Sequence, residues 1–151
     1  MRISGLFALA LAIAALGAAA PTRAEEGELR ASRPDIRREV IAVIDGQLAA
    51  FRAHDLNSAY AYAAVALRQQ FPVNRFAETV RQGYPEIWTN TRAEYGIVRD
   101  NGVRAMLNVR VFQANNASAS YDYILFKEPA GWRIGGVSVH PEPPATAAGS
   151  A

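Results

Sequence analysis

Residues 92–139 read RAEYGIVRDNGVRAMLNVRVFQANNASASYDYILFKEPAGWRIGGVSV, and the period of this stretch decides the fold. Four runs in it alternate between apolar and polar side chains: Arg92–Arg99, Val103–Gln113, Ser118–Lys127 and Trp132–Val139. Alternation with a period of two is the pattern of half-buried strands. Asn101-Gly102 reads as a two-residue hairpin turn, and Asn115-Asn116 and Glu128-Pro129-Ala130-Gly131 mark the later junctions. Connections this short join only antiparallel neighbours, so the spacing predicts a four-stranded meander.

Upstream of residue 90 the period is helical. Pro34 suits the first turn of a helix and Asp35 complements its dipole. Ile36, Val40, Val43, Ile44, Leu48 and Phe51 then recur at helical spacing, with Gln47 the polar intruder beside that stripe, and the helix ends around His54. Asp55 reads as the N-cap of a second helix through Tyr60, Tyr62 and Ala63. A third runs from about Asn74 to Gln82, and Gly83-Tyr84-Pro85 stops it. Helices first and strands afterwards make an α+β domain, with the helices laid on one face of a curved antiparallel sheet.

The ends carry a different message. Met1-Arg2, the apolar run Leu6–Ala20 and the small residues Thr22 and Ala24 make a signal peptide over 1–24, cut after Ala24. The apolar run is shorter than the roughly 20 residues of a membrane-spanning helix. A periplasmic or secreted location follows as the expectation. Residues 25–33 are polar and aperiodic, a disordered leader; 34–140 form the domain; 141–151 (PEPPATAAGSA) are a disordered Pro/Ala-rich tail. Of 16 Lys and Arg, Arg2 and Arg23 leave with the signal, so 14 basic residues balance 14 acidic ones. That balance argues against nucleic-acid binding. There is no cysteine, so no disulfide supports the fold in an oxidising compartment.

The element order resembles the nuclear-transport-factor-2-like superfamily, and particular residues are similar to its exported bacterial branch of domains of unknown function. These are Gln47 with Ala50-Phe51, Asp55 with Ala59, Phe76 leading to Gly83-Tyr84, and Gly131-Trp132-Arg133-Ile134 with Gly136. The resemblance covers roughly residues 36 to 139 and implies a cone of helices against a strongly bent sheet, enclosing a pocket. It implies little about function, because that superfamily hosts isomerases, dehydratases, hydrolases, transport factors and binding domains.

Strand register sorts the candidate site residues. If the hairpin loops are even-numbered, Tyr95, Asn108 and Tyr123 lie side by side, with Arg110 and Tyr121 in the next row. Ile97, Met106, Leu125, Trp132 and Ile134 share that face. The opposite face carries Val103, Ala105, Leu107, Val109, Val111, Ile124, Val137 and Val139, with Asp122 and Glu94. Both faces are apolar, so one packs on the helices and the other is expected to be covered by a second subunit, making a homodimer. A bulge in any strand would reverse the assignment. The tyrosine-bearing face, with Gln47 and Trp88 from the helices, is expected to line a pocket for a small apolar or amphipathic ligand. The alternative is that the tyrosine hydroxyls meet water or fill a dimer seam.

Chemistry is thin. Asp122 among Val109, Ile124 and Val137 is the one catalytic candidate, a general base if it points into the cavity and an ordinary ion-pair partner if Arg133 reaches it. Asp55 is more economically a helix cap. His54 and His140 have no acidic companions at ligand spacing, so no metal is expected. Ser118, Ser120 and Ser138 lack a positioned histidine, and Gly135-Gly136 inside a strand permits bending rather than phosphate binding. Asn116-Ala117-Ser118 matches a glycosylation sequon by chance. The expected function is an exported binding or interaction domain without a catalytic set, cofactor or membrane contact after signal cleavage. The alternatives are a pocket enzyme of isomerase, dehydratase or hydrolase type using Asp122, and an envelope interaction module working through an exposed sheet face, which requires no enclosed cavity.

Overall fold

A computed structural model describes residues 27–141. The expected signal peptide and the expected tail beyond Pro141 lie outside the described residues. Those residues form an α+β fold of five helices and a six-stranded antiparallel sheet, two strands more than the meander alone.

Helix α1 (Pro34–Arg52) opens with Pro in its first turn and Asp35 at its positive end. Its buried side chains, Val40, Ile44, Gln47, Leu48, Ala50 and Phe51, form one stripe. His54 (φ 55°) turns the chain out of the helix. Asp55 then caps α2 (Leu56–Ala61): its carboxylate accepts from the Ser58 amide at 3.1 Å and the Ser58 hydroxyl at 2.6 Å. These bonds hold the Asp55 carboxyl below its ordinary pKa. Two short helices escape a periodicity reading, α3 (Val65–Gln70) and α5 (Pro85–Trp88), on either side of α4 (Val73–Gly83). Gly46 permits a close approach: a Cβ there would stand 2.5 Å from the Tyr62 ring.

The sheet runs in the order β1-β3-β4-β5-β6, and β2 also pairs with β4. The first expected strand is broken into β2 (Asn90–Tyr95) and β3 (Arg99–Asp100). β4 (Arg104–Gln113), β5 (Ser118–Glu128) and β6 (Gly131–Val139) follow the expected runs. The leader is not free where it is described. Arg30–Ala31 form β1 against β3, the Ser32 amide donates to the Val98 carbonyl at 2.9 Å, and Asn101 Nδ2 donates to the Gly27 carbonyl at 3.0 Å. Extended pairing satisfies a polar segment that has no apolar period to betray it.

Three local irregularities correct the expected faces. The β4–β5 loop holds three residues, 114–116, closed by the Gln113 amide on the Ala117 carbonyl, with Asn116 left-handed (φ 64°). An odd loop moves the pairing by one, so Leu107 faces Tyr123 and Val109 faces Tyr121. Between Tyr95 and Arg99 the chain bulges: Val98 is buried, Ile97 is 67% exposed, and Tyr95 pairs with Val109 instead of Asn108. At Gly135 the β5–β6 register shifts, which turns Val137 to the side of Tyr123. The first turn also differs, with Gly102 and Val103 as its central residues between Asn101 and Arg104.

The helix-facing side therefore carries Ala105, Leu107, Val109, Val111, Tyr121, Tyr123, Leu125, Trp132, Ile134 and Val137, all buried with the α1 stripe in one core. Asn108, Arg110, Met106 and Ile97 do not belong to it. The free edge of β6 is covered where the Ala64 amide donates to Ile134 and the Ile134 amide donates to Tyr62.

Candidate functional site

Tyr95, Val109 and Tyr121 form one row across β2, β4 and β5 on the helix side, and Tyr123 stands in the next row opposite Leu107. Two of these tyrosines pin a helix to the sheet. Tyr95 donates to Asp45 of α1 at 2.7 Å, and Tyr121 donates to Glu86 of α5 in a short bond. Tyr84, just before α5, packs its ring at a tilt against Tyr121 with centroids 5.7 Å apart and donates to the Val137 carbonyl at 3.0 Å. Tyr123 is fully buried and its hydroxyl meets no hydrogen-bonding partner among the described residues; the Trp132 indole N–H is in the same situation. Lys127, ion-paired with Glu39 at 3.6 Å, lies 5.5 Å over the Trp132 ring.

Burial first, and then the bond to a carboxylate, push the Tyr95 and Tyr121 hydroxyls far above the ordinary phenol pKa. Burial, with Tyr84 nearby, does the same to Tyr123. All three stay protonated near neutrality, so they can donate hydrogen bonds and cannot serve as bases.

Gln47 and Trp88 fall on the same side. Gln47 is buried, its Nε2 donating to the Ala59 carbonyl at 3.0 Å, and Trp88 packs on Phe51 at 5.8 Å. Gln47, Phe51, Phe76, Tyr84, Ile134 and Val137 border a cavity of about 20 Å³ between the helices and β6. A single water needs roughly 10–15 Å³ on this measure. Small-molecule sites commonly run to roughly 300–1,000 Å³. As it stands, the chamber admits a water or two.

The structure thus brings Gln47, Trp88, Tyr95, Tyr121, Tyr123 and Trp132 to one side and separates Asn108, Arg110 and Asp122 from them. Asn108 and Asp122 are cross-strand partners on the outer face, with Asn108 Nδ2 3.3 Å from the carboxylate. Asp122 binds His140 Nδ1 at 2.8 Å, while Arg133 turns to the Trp132 carbonyl. Asp122 therefore stands outside the space that a cavity base must occupy. Arg110 reaches Ser118 at 3.1 Å. Among the described residues no three His, Cys, Asp or Glu side chains converge as a metal site would need.

Asp45 and Glu86 escape the sequence reading, and Tyr84 enters it only as part of a helix stop and of the family resemblance, not as a site residue. Asp45 lies off the apolar stripe of α1 and looks like a solvated charge. Gly83-Tyr84-Pro85 reads as a helix stop, although Pro85 at a first helical position followed by the acidic Glu86 also signals a new short helix.

The outer face carries its own pattern. Arg104, Phe126 and Arg133 form one cross-strand row; Met106, Ile124 and Gly136 the next; Asn108, Asp122 and Ser138 the third. Phe126 lies across Gly135, where a Cβ would stand 2.2 Å from the ring, so this glycine gives the ring a flat seat. Met106, Ile124 and Phe126 are half-buried by their neighbours.

The sequence matches the family model described as a domain of unknown function, DUF4864, over residues 34–147. No curated protein matches the chain.

Proposed function

Since the chain belongs to this family of unknown function, DUF4864, we propose that it is an exported, non-catalytic interaction domain whose working surface is the outer face of its sheet. One contrast carries the reading. On the helix side the cavity bordered by Gln47, Phe76 and Tyr84 is water-sized, while the outer face presents the apolar side chains of Met106, Ile124 and Phe126 among arginines. The Leu6–Ala20 run supports export to the periplasm or the medium. Helices followed by a meander support placing the fold beside the nuclear-transport-factor-2-like proteins.

Met106 is the natural reporter. Only two methionines occur in the chain, Met1 and Met106, and Met106 lies in the middle row of this face. The test is pulsed oxidation of the mature protein drawn intact from its own compartment, compared with the same protein diluted until it dissociates. Slower oxidation of Met106 in the intact sample is expected. Equal rates, together with a small molecule retained in native mass spectrometry, would replace this reading by a second one.

That second reading is a ligand held on the helix side. The unpartnered hydroxyl of Tyr123 and the apolar cavity lining favour it. It requires α4, whose Phe76 and Val80 border the cavity, to move outward and make room.

A further inference from the structure

We infer that the occupant of the outer sheet face is a second copy of this chain, docked with its strands reversed so that Arg104 and Arg133 of each copy reach Asp122 of the other. This rests on the reading of that face as the working surface.

The argument is the symmetry of the three rows. The apolar row Met106–Ile124–Gly136 lies between the row Arg104–Phe126–Arg133 and the row Asn108–Asp122–Ser138. A twofold axis running across the strands at the apolar row exchanges the two outer rows. Asn108–Asp122–Ser138 of one copy then lies against Arg104–Phe126–Arg133 of the other, and Met106 and Ile124 pack on their own mates. Such a contact is isologous: each patch answers itself.

The charges are arranged for it. Arg99, beside Met106, and Arg104 and Arg133 form no ion pair among the described residues, and Arg104 Nε is buried without a partner. Glu128, the nearest acid along β5, is turned away to accept the Val65 amide at 3.0 Å. Acid is instead found one row beyond the apolar centre, at Asp122, whose carboxylate already meets His140 at 2.8 Å and would be shared with the arginines of the other copy, and Glu94, paired with Arg92 at 2.9 Å, lies opposite Arg110 on the same face. A uniformly acidic partner would meet these two carboxylates, and a uniformly basic one the arginines; a reversed copy meets each sign with the other. With 14 basic and 14 acidic residues beyond Ala24, two copies carry no net repulsion.

Size agrees. Four strand spacings by nine residues span about 19 Å by about 30 Å, roughly 1,100 Å² over two copies in flat projection. A specific interface needs roughly 1,000 Å².

Sedimentation of the mature chain over a range of concentrations and salt tests this. Wild type is expected to be a dimer that weakens with salt. Asp122→Arg, and separately Arg104→Glu with Arg133→Glu, should each loosen it by about tenfold or more. An equimolar mixture of the two variants should recover a heterodimer. Circular dichroism and urea midpoints close to wild type show that each variant folds, and the recovered heterodimer is a second guard against misfolding. A dimer indifferent to both changes overturns the docking register. A wild-type chain that stays monomeric overturns the second copy as occupant; Met106 protected in the native sample would then still uphold the outer-face reading, and Met106 unprotected would end both.

Discussion

The two faces of one sheet have been put to opposite uses. On the helix side, tyrosines reach inward to fixed partners, Tyr95 to Asp45 and Tyr121 to Glu86, and the cavity between the helices and β6 measures about 20 Å³. On the outer side, the same strands present Arg104, Met106, Asn108, Asp122, Ile124 and Phe126, polar and apolar groups interleaved and half-open to solvent. Alternation guarantees that a strand has two unlike faces; it does not say which face of one strand joins which face of the next. Here one loop residue and two bulges made that choice. The lesson is that a pocket inferred from side-chain chemistry is only as good as the parity of the turns between its strands.

The comparison can be broken by mutation. Trp132→Ala, on the helix side, should cost about 3–5 kcal/mol in urea unfolding, as expected for a large buried ring. Phe126→Ala, on the outer face, should cost the separated chain only about 1 kcal/mol, because in the single chain its ring is no more than half-buried. Equal losses would mean that the outer face is core as much as surface.

Alkaline titration sharpens the same contrast. Above about pH 10 the unfolded chain gives up phenolic protons that the buried tyrosines keep, so the unfolded state binds fewer protons and stability falls as pH rises. For Tyr123 alone the slope approaches about 1.4 kcal/mol per pH unit once the unfolded phenol is fully ionised, and is about half that near pH 10. Urea midpoints measured at about pH 8, 10 and 11 should show the fall, and Tyr123→Phe should make it shallower. A slope unchanged by that substitution would place the Tyr123 hydroxyl in contact with solvent.

The smallest expected effect belongs to the loop that set the register. Asn116→Gly relieves a left-handed residue (φ 64°) and should raise stability by a few tenths of a kcal/mol, roughly 0.5 at most. Destabilisation instead would show that the asparagine side chain itself holds the three-residue loop.

Much of the architecture was readable from periodicity. Pro34 and Asp35 located the start of α1, Asp55 located the cap of α2, and the alternating runs located β4, β5 and β6 within a residue or two. Tyr95, Tyr121, Tyr123 and Trp132 were grouped correctly because each lies on the helix side by its own strand's alternation. Asn108 and Arg110 were misplaced because β4 was paired through an even loop. The partners Asp45 and Glu86 were missed for another reason: a carboxylate on a helix surface carries no mark of the phenol that will meet it.

By itself, the sequence determined local matters, namely the helical and extended segments, the capping residues, the apolar stripe of α1 and the balance of charge. These depend on backbone preferences and on neighbours a few positions away. Only the tertiary structure decided the long-range ones: which faces of β4, β5 and β6 share a side, that Arg30–Ala31 pair with β3, and that the cavity bordered by Gln47, Phe76 and Tyr84 is water-sized. Each turns on a shift of one residue or a rotation of one helix, a difference of a few ångströms that the pattern of residue types does not encode.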